Sequence, residues 1–488
     1  LSCQNNMDIK GLLFENKGFK QTIFKNTFWL TASQIAIRLL KLILVIYVAR
    51  MLTVAEYGRF NWALSFVTIF AIFADLGINS ISIREFSQKK ENEEHISDLF
   101  GLKIFLGFLV FLIIFSYSFL FIDDQNTRSI LLVLSLYGII IAFDGLFASF
   151  FQAREKMEYI AWADMIQGGA TVIFGLILVF LSPNALSLSW AYFIAAIFYT
   201  LFFIFLFKFQ KEKFKISFNF SIWKKFLKMS WPMALAGIFG VIYTSTDSVM
   251  LGWFNQFEAV AYYNAAQKFI WIAIIPAGLI YSSFFPAVNK IIDESKERFQ
   301  KAWSFQMEIM FALAIPLVIG IITMAAKIID FGYGSNYYPA VGALKILAIM
   351  LFFSYISHPF NQLLVSFHKQ NHLFWISFIT AIQNVVLNAI LIPQYSFYGA
   401  GIATIISYFS SLVLTIYFCK KFLTFDLLNR NIIITILISS VSCLLMYSVI
   451  IIPQIYQANL FVSVIIGIIV YFSIFAALRI KLLNKFYQ

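Results

Sequence analysis

Runs of about twenty apolar residues recur along nearly the whole chain, separated by short charged or polar stretches. A helix rises ~1.5 Å per residue, so ~20 apolar residues are needed to cross the ~30 Å hydrocarbon layer of a bilayer. The 488 residues are 61% hydrophobic and only 12% charged, whereas soluble domains carry ~25% charged residues. The sequence therefore predicts an all-α polytopic membrane protein.

The apolar runs predict about fourteen transmembrane helices, grouped as six, six and a final pair. The predicted spans are 26–49, 61–83, 99–121, 129–151, 159–181, 187–209, 229–252, 263–287, 304–327, 340–365, 373–393, 398–419, 431–452 and 458–478. The corresponding regions are an N-terminal segment (1–25), a first six-helix lobe (26–209), a basic linker (210–228), a second six-helix lobe (229–419) and a C-terminal helix pair with its tail (420–488).

The distribution of Lys and Arg predicts the orientation of these helices. If the N-terminus is cytoplasmic, 28 of the 36 basic residues fall in alternate loops, and four lie inside spans, namely Arg38, Lys41, Lys268 and Lys345. Cytoplasmic loops of membrane proteins carry an excess of Lys and Arg. We therefore predict that both termini and the basic linker are cytoplasmic. This orientation explains the net charge of +12, which does not indicate a nucleic-acid partner.

Two short sequence matches indicate that the lobes are duplicated. FNWA at 60–63 opens the second span and YNAA at 263–266 opens the eighth, 203 residues later. FQAREKMEYIAW at 151–162 and SFHKQNHLFWIS at 366–377 each form the loop between the fourth and fifth spans of a lobe, 215 residues apart. Transporters built from repeats bind their substrates at the repeat interface. We therefore expect two lobes around a central cavity.

Motifs for catalysis and for cofactor binding are absent from the sequence. It contains no GxxxxGK[ST], HExxH or GxSxG pattern, which would bind phosphates, hold zinc or present a nucleophilic serine. Cys3, Cys419 and Cys443 are too far apart in sequence for a clustered metal site. The predicted outer loops are short, which argues against the alternative of a glycosyltransferase or polymerase. We expect a transporter with no enzymatic activity, metal or organic cofactor.

Three polar residues share one face of the first predicted span. Gln34, Arg38 and Lys41 are spaced i, i+4 and i+7, which stacks them along a helix. One interpretation is that the two cations pair with acids of neighbouring helices, such as Asp75 or Asp144, and stabilise the bundle. The other is that they attract an anionic headgroup, because Arg and Lys both bind phosphate oxygens strongly. The residues alone leave both interpretations open.

Four carboxylates lie in predicted spans, at Asp75, Asp144, Asp164 and Asp247. Ionisable groups at bilayer depth are costly and usually mark ion pathways or pair with a partner. Asp75, Asp144 and Asp247 are our candidates for binding a coupling H⁺ or Na⁺. Asp164 and Asp247 lie near predicted helix ends, where an ordinary interfacial carboxylate is the alternative.

The second lobe contains further polar residues inside its predicted spans. Lys268 and Lys345 enter from the outer side, so they either extend to the interface or continue a basic cavity lining. Asn384 and Asn388 are one helical turn apart in the eleventh span. They are candidates for a hydrogen bond between helices or for contacts with a sugar.

Several segments resemble a known family when they are taken in order along the chain. The segments are VARMLTVAEYGRFNWALS (48–65), FADLGINSISIREFS (73–87), FQAREKMEYIAWADMI (151–166), SWPMALAGIFGVIYTSTDSVMLGWF (230–254), VAYYNAAQKF (260–269), FFPAVNK (284–290), FGYGSNYYPAVGALKILA (331–348) and NVVLNAILIPQYSFYGAGIATIISY (384–408). Together they resemble the polysaccharide biosynthesis flippases of the multidrug/oligosaccharidyl-lipid/polysaccharide exporter superfamily. The resemblance covers nearly the whole chain.

The resemblance implies a function. Such flippases move an undecaprenyl-diphosphate-linked oligosaccharide repeat unit from the inner to the outer leaflet of the bacterial inner membrane by alternating access, for O-antigen or capsule synthesis. The implied partners are that lipid-linked sugar, the bilayer, a polysaccharide polymerase and a chain-length regulator. The alternative is a cation-coupled multidrug exporter of the related extruder branch, which shares a similar twelve-helix core.

Overall fold

A computed structural model describes residues 19–88, 95–212, 215–291, 295–422, 427 and 429–486, which are helical apart from short connections. The helices are α1 (Phe19–Met51), α2 (Val54–Asp75), α3 (Ile78–Gln88), α4 (Ile96–Phe121), α5 (Gln125–Ala153), α6 (Met157–Leu181), α7 (Ala185–Phe209), α8 (Phe220–Trp253), α9 (Phe257–Ala273), α10 (Ile275–Ile291), α11 (Lys296–Tyr333), α12 (Ala340–Ser366), α13 (Gln370–Phe422), α14 (Arg430–Ile450), α15 (Pro453–Gln457) and α16 (Leu460–Phe486).

The helices of the described residues confirm an all-α polytopic membrane protein. Eleven candidate spans are long and apolar enough to cross a membrane, or twelve if the two parts of α8, which meet at 46°, form one span. The eleven candidates do not include α1, which contains the predicted span 26–49. They also include α13 as a single span. Helix α13 contains both predicted spans 373–393 and 398–419, and Ser396 interrupts its helical geometry with φ 54° and ψ −136°.

The chain divides into two compact units, Leu1–Val249 and Met250–Gln488. In the first unit, buried phenylalanines of α4, α5 and α7 form a large aromatic core, in which the rings of Phe147 and Phe203 stack 5.5 Å apart. Helix α1 packs on α6 through Gly168, which lies against the Ile37 side chain. Small residues let membrane helices approach closely. Gly168 therefore allows α1 to pack directly against α6.

In the second unit, polar contacts fasten the last helix to α11. The Tyr471 hydroxyl donates to the Ala312 carbonyl at 2.7 Å, and Arg479 forms an ion pair with Glu308. At the other end of α11, the Lys327 ammonium donates to the Ala458 carbonyl at 2.7 Å. The C-terminal helices therefore belong structurally to the second unit.

Two predicted spans are broken, whereas the apolar runs predict a continuous helix for each. The span 61–83 divides into α2 and α3, with Leu76 and Gly77 both at positive φ (46° and 72°). The span 263–287 divides into α9 and α10 around Ile274. Backbone groups freed by a break need new partners in a membrane, and both breaks have them, as described below.

Similar local structures recur in the two units. The Asn61 and Asn264 side chains each donate to the carbonyl four residues earlier in their own helix, at 2.7 and 2.9 Å. Glu155 and His368 each end a helix in the left-handed conformation, with hydrogen bonds back into the last turn. Glu155 and His368 are 213 positions apart. The sequence match between the two loops has an offset of 215 positions, so the two offsets differ by two residues. The recurrence supports the predicted duplication.

The segment 48–65 stabilises one end of the first unit. The Thr53 side chain caps α2 by accepting from the Glu56 backbone. The Glu56 carboxylate accepts from Arg59 at 2.9 Å, from Asn126 at 2.8 Å and from the backbone N–H of Ala185 at 2.8 Å. One glutamate thus ties together the beginnings of α2, α5 and α7, which gives this segment a structural role.

Candidate ion-coupling and anion-binding site

The predicted cationic stripe lies on α1. Arg38 and Lys41 are both exposed, and Lys41 interacts electrostatically with Asp164 of α6. The side chain of Gln34 lies outside the described residues. The two cations are therefore accessible to an anion, and the acid that faces Lys41 is neither of the two considered from the sequence.

Asp164 lies inside the first unit beside polar neighbours. Its carboxylate accepts a hydrogen bond from the Tyr199 hydroxyl of α7 at 3.2 Å, in addition to its interaction with Lys41. A nearby cation and a hydroxyl donor both stabilise the ionised form of a carboxylic acid. These two contacts favour the ionised form of Asp164, whereas its partial burial opposes that form.

Asp144 of α5 has different surroundings. It is 0% exposed, and both of its carboxylate oxygens lie 2.9 Å from the hydroxyl oxygen of Thr200 on α7. Within the described part of the chain it forms no ion pair. A buried carboxylate without a cation is strongly disfavoured in its charged form.

The Thr200 hydroxyl is surrounded by more hydrogen-bond acceptors than it can donate to. The Thr200 hydroxyl has a single hydrogen to donate, but three acceptors surround it, the two oxygens of Asp144 and the Ala196 carbonyl at 3.1 Å. If Asp144 carries a proton, it donates to Thr200, and Thr200 donates to Ala196, so each group is satisfied. We call Asp144, Asp164, Tyr199 and Thr200 the carboxylate cluster. The two carboxyl groups of this cluster have different surroundings, because a lysine interacts with Asp164, whereas Asp144 forms no ion pair among the described residues.

Asp75 is held in place by structural contacts. Its carboxylate accepts from the backbone N–H groups of Gly77 at 3.2 Å and Asn79 at 3.3 Å, which caps α3 at the break. It also pairs with Lys103 of α4, which is 1% exposed. Lys103 was not among the four basic residues predicted inside spans. The pair favours a structural role for Asp75 over ion coupling.

Two of the predicted polar residues of the second unit contact each other. Asn388 donates to Asn384 within α13 at 3.0 Å, and both are buried. This bond runs along one helix, whereas the sequence predicted a bond between helices or a sugar contact. Lys345 is exposed and Lys268 is half-buried. Asp247, which belongs to the first unit, is buried on α8.

Sequence reasoning missed Lys103, Tyr199 and Thr200. Lys103 carried a signal, because it is followed directly by an apolar run. Tyr199 and Thr200 carried none, since hydroxyls in apolar spans are common and their partners, Asp164 and Asp144, are 35 and 56 positions away. Among the described residues, no group of three or more His, Cys, Asp or Glu side chains is placed to hold a metal ion.

The family model for polysaccharide biosynthesis proteins matches residues 23–292, more than half of the chain. The chain is 24% identical to an uncharacterized membrane protein, MJ1068, of Methanocaldococcus jannaschii, over 94% of this chain and 95% of that protein. It is 23% identical to the capsular polysaccharide biosynthesis protein CapF of Staphylococcus aureus, over 81% of this chain and 99% of CapF. A shorter match, 26% identical over 34% of this chain and 35% of the relative, is to the probable flippase AglR of Haloferax volcanii.

The fold is similar to that of a solved transporter. The lipid II flippase MurJ in an inward closed conformation matches with a TM-score of 0.76 and 18% identity, over 93% of this chain and 99% of MurJ. This likeness establishes a MurJ-like fold and agrees with the family match. The chain belongs to the family of polysaccharide biosynthesis proteins, whose model covers more than half of it.

Proposed function

We propose that this protein moves a lipid-linked glycan, in particular an undecaprenyl-diphosphate-linked oligosaccharide repeat unit, from the inner to the outer leaflet by alternating access. The observation that carries the proposal is the pair of exposed cations on α1, Arg38 and Lys41, in a chain of this family. A diphosphate headgroup is too polar to cross hydrocarbon unaided. A transporter for it must therefore offer cations inside its membrane helices.

The names of the relatives support the substrate class. CapF is named for capsular polysaccharide biosynthesis and AglR as a probable flippase. Both names fit a chain that handles lipid-linked sugars for a surface polymer. The candidate products are O-antigen and capsule, and the candidate partners are a polysaccharide polymerase and a chain-length regulator.

The two cations suit a diphosphate by their chemistry and their spacing. A guanidinium binds phosphate oxygens in a fork, and an ammonium acts as a compact point charge. Arg38 and Lys41 are three residues apart and therefore neighbours on the helix surface. Lys268, Lys345, Asn384 and Asn388, with Gln34, are further candidates for lining the path. We rank these five residues below Arg38 and Lys41 as substrate contacts. For Asn384 and Asn388 the reason is that their buried amides already bond to each other.

We further propose that Asp144 binds the coupling cation, a proton, during the transport cycle. The complete burial of Asp144 favours the neutral acid in this conformation, and the Thr200 hydroxyl oxygen lies 2.9 Å away, where it can accept the proton of that acid. Release of that proton would leave a charge that needs a rearranged neighbourhood, which couples protonation to conformation. Asp164, held by Lys41 and Tyr199, connects the same cluster to the cationic stripe. Asp75 and Asp247 rank below Asp144, and Na⁺ is the alternative ion.

We propose the orientation and span number that the sequence predicts, with about fourteen spans and both termini on the cytoplasmic side of the bacterial inner membrane. Twelve candidates result when α8 is counted as one span, and α1 and the second half of α13 would bring the number to fourteen.

The test of the function is a deletion strain that is complemented with variants. Loss of the gene should trap lipid-linked repeat units on the inner leaflet and abolish the surface polymer. Arg38→Glu/Lys41→Glu should fail to complement although the protein inserts normally, because charged hydrogen bonds contribute about 1.5–3 kcal/mol each. The matched control is Lys420→Glu/Lys421→Glu, which makes the same charge change at two exposed lysines at the end of α13. Normal polymer in the deletion strain would rule out the function.

The test of the coupling role is transport into proteoliposomes under an imposed pH gradient. Asp144→Asn keeps the shape and a hydrogen bond to Thr200 but cannot exchange a proton. It should retain folding and lose most of the stimulation by the gradient. The control, Asp123→Asn, changes an exposed carboxylate outside the helices and should leave the stimulation intact. Unchanged stimulation in Asp144→Asn would remove Asp144 from the coupling mechanism.

A further inference from the structure

A basic and aromatic surface lies where the chain leaves α7 and enters α8. The residues 215–228 contain four lysines and no acidic residue. All four, Lys215, Lys224, Lys225 and Lys228, are exposed. We call these residues the lysine surface. None of them takes part in the carboxylate cluster or in the cationic stripe on α1.

The segment that carries the lysine surface is fixed to the first unit. The Ser217 backbone N–H donates to the Ser97 carbonyl at 3.0 Å. The Ser217 carbonyl oxygen lies only 2.0 Å from where a Cβ on Gly101 would be, so a glycine is required for this close approach. The Trp223 indole donates to the Asp98 carbonyl at 2.8 Å. The lysines are therefore held at a defined place on the unit.

The beginning of α8 has two unlike faces. Trp223, Phe226 and Ser230 are buried against the first unit. Lys224, Lys225 and Lys228 follow the spacing of the opposite face and are exposed. An amphipathic helix end with lysines on its outer face is typical of a segment that lies at a membrane surface.

Large aromatic side chains flank the lysines and are also exposed. Phe218 is 63% exposed, Phe220 is 73% exposed and Trp231, one turn beyond Lys228, is 59% exposed. Aromatic rings at the end of a transmembrane helix are suited to the headgroup region of a bilayer. Their position places the lysines beside lipid rather than in bulk water.

The positive charge of the surface is not neutralised by the nearest acids. Glu212 forms an ion pair with Arg154. The Asp98 carboxylate accepts a hydrogen bond from the Ser217 hydroxyl and lies 3.9 Å from His95. Both acids are engaged with the first unit, so the lysine surface keeps its net charge.

We propose that the lysine surface binds anionic phospholipid headgroups of the cytoplasmic leaflet. Each basic residue close to an anionic membrane surface contributes about 1 kcal/mol, and the exposed aromatic rings add insertion into the interface. A nucleic acid would not need the phenylalanines beside the lysines, and a folded protein partner would not require them at the start of a membrane-crossing helix. The bound lipid would set the depth of the end of α8 in the bilayer.

The experiment uses Trp231 as a reporter beside the surface. The full-length protein is reconstituted into bilayers of phosphatidylcholine and phosphatidylglycerol in which only one of the two lipids carries brominated chains, which quench tryptophan. The difference between the parent protein and Trp231→Phe isolates the signal of Trp231. We expect phosphatidylglycerol to quench Trp231 at least twofold more strongly than phosphatidylcholine at equal mole fraction, and this preference to fall with salt.

The deciding variant is Lys215→Gln/Lys224→Gln/Lys225→Gln/Lys228→Gln, in which the two lipids should quench equally. The matched control, Lys290→Gln/Lys296→Gln/Lys420→Gln/Lys421→Gln, removes the same charge from other exposed lysines and should keep the preference. Equal quenching in the parent protein, or an equal loss in the control, would overturn the proposal. These readouts are independent of transport, so they hold whether or not the protein is a flippase, and only the leaflet rests on the proposed orientation.

Discussion

The two broken helices of this protein are held by different chemistry. At the break between α2 and α3, Asp75 caps the new helix and pairs with the buried Lys103. At the break between α9 and α10, the buried Tyr355 hydroxyl of α12 donates to the Ala273 carbonyl at 2.7 Å. The first break thus depends on an ion pair, and the second on a neutral hydrogen bond.

The same contrast extends through the two units. Buried polar contacts of the first unit involve charged groups, as in Lys25 with Glu158 at 2.9 Å. Among the described residues of the second unit, Gln306 and Gln362 form a neutral buried contact at 2.8 Å, and the pair of Glu308 with Arg479 is charged. Charged groups in a low dielectric respond strongly to the loss of a partner or to a proton, and neutral pairs respond weakly. We therefore expect the charged contacts of the first unit to be more sensitive to the loss of a partner than the neutral contacts of the second.

The largest expected effect is at the first break. Asp75→Asn keeps a side chain that can cap α3, because Asn and Asp are comparable caps, but it leaves Lys103 buried without its counter-charge. We expect the free energy of unfolding to fall by about 3 kcal/mol, the lower end of the range for breaking a buried ion pair, because Asp75 itself is partly exposed. Unfolding by SDS titration in bicelles measures this loss.

The double variant Asp75→Asn/Lys103→Met separates charge from shape. It removes both members of the pair and should restore most of the lost stability. If the double variant is as unstable as Asp75→Asn, the ion pair is not what stabilises the break.

The backbone at the first break gives a second, intermediate effect. Gly77 has φ 72°, and a Cβ there would lie 2.9 Å from the Ser230 carbonyl oxygen and from the Ala234 nitrogen. Gly77→Ala should therefore destabilise the protein by about 1–3 kcal/mol through strain and steric overlap. Gly169→Ala is the control, since no atom lies within 4 Å of its added Cβ. Comparable melting temperatures for the two variants would contradict the geometry at Gly77.

The second break should be the least sensitive. Tyr355→Phe removes one hydroxyl and leaves the Ala273 carbonyl with a lost donor, and hydrogen bonds between membrane helices contribute about 0.6 kcal/mol on average. We expect a loss of that size in the same SDS titration. Tyr338→Phe, at a ring that is 67% exposed, should cause no change. A loss at Tyr355 as large as that in Asp75→Asn would remove the contrast between the breaks.

The sequence predicted those features that depend on local patterns. Apolar runs located the helices, and the spacing of Arg38 and Lys41 placed both on α1, where they are exposed. The Asn of FNWA and of YNAA was found to have the same hydrogen bond in both units. Such features need only the period of a helix and the length of a bilayer crossing.

Features that depend on tertiary contacts were not predictable. Leu76 adopts a left-handed conformation that a leucine rarely takes, and hydrogen bonds from the Gly77 and Asn79 backbone to the Asp75 carboxylate span this turn. The state of Asp144 depends on Thr200 of another helix. No pattern along the chain predicts that Asp144 and Thr200 lie together. They meet because α5 packs on α7.

The measurement that tests the central claim most directly is leaflet transfer by the purified protein. Proteoliposomes carrying an undecaprenyl-diphosphate-linked oligosaccharide are treated with a membrane-impermeant glycosidase, which cleaves only the outer leaflet. We predict that the protein makes the protected fraction accessible, and that Arg38→Glu/Lys41→Glu does so no faster than protein-free vesicles. Transfer at the protein-free rate by the folded, unmodified protein would contradict the account.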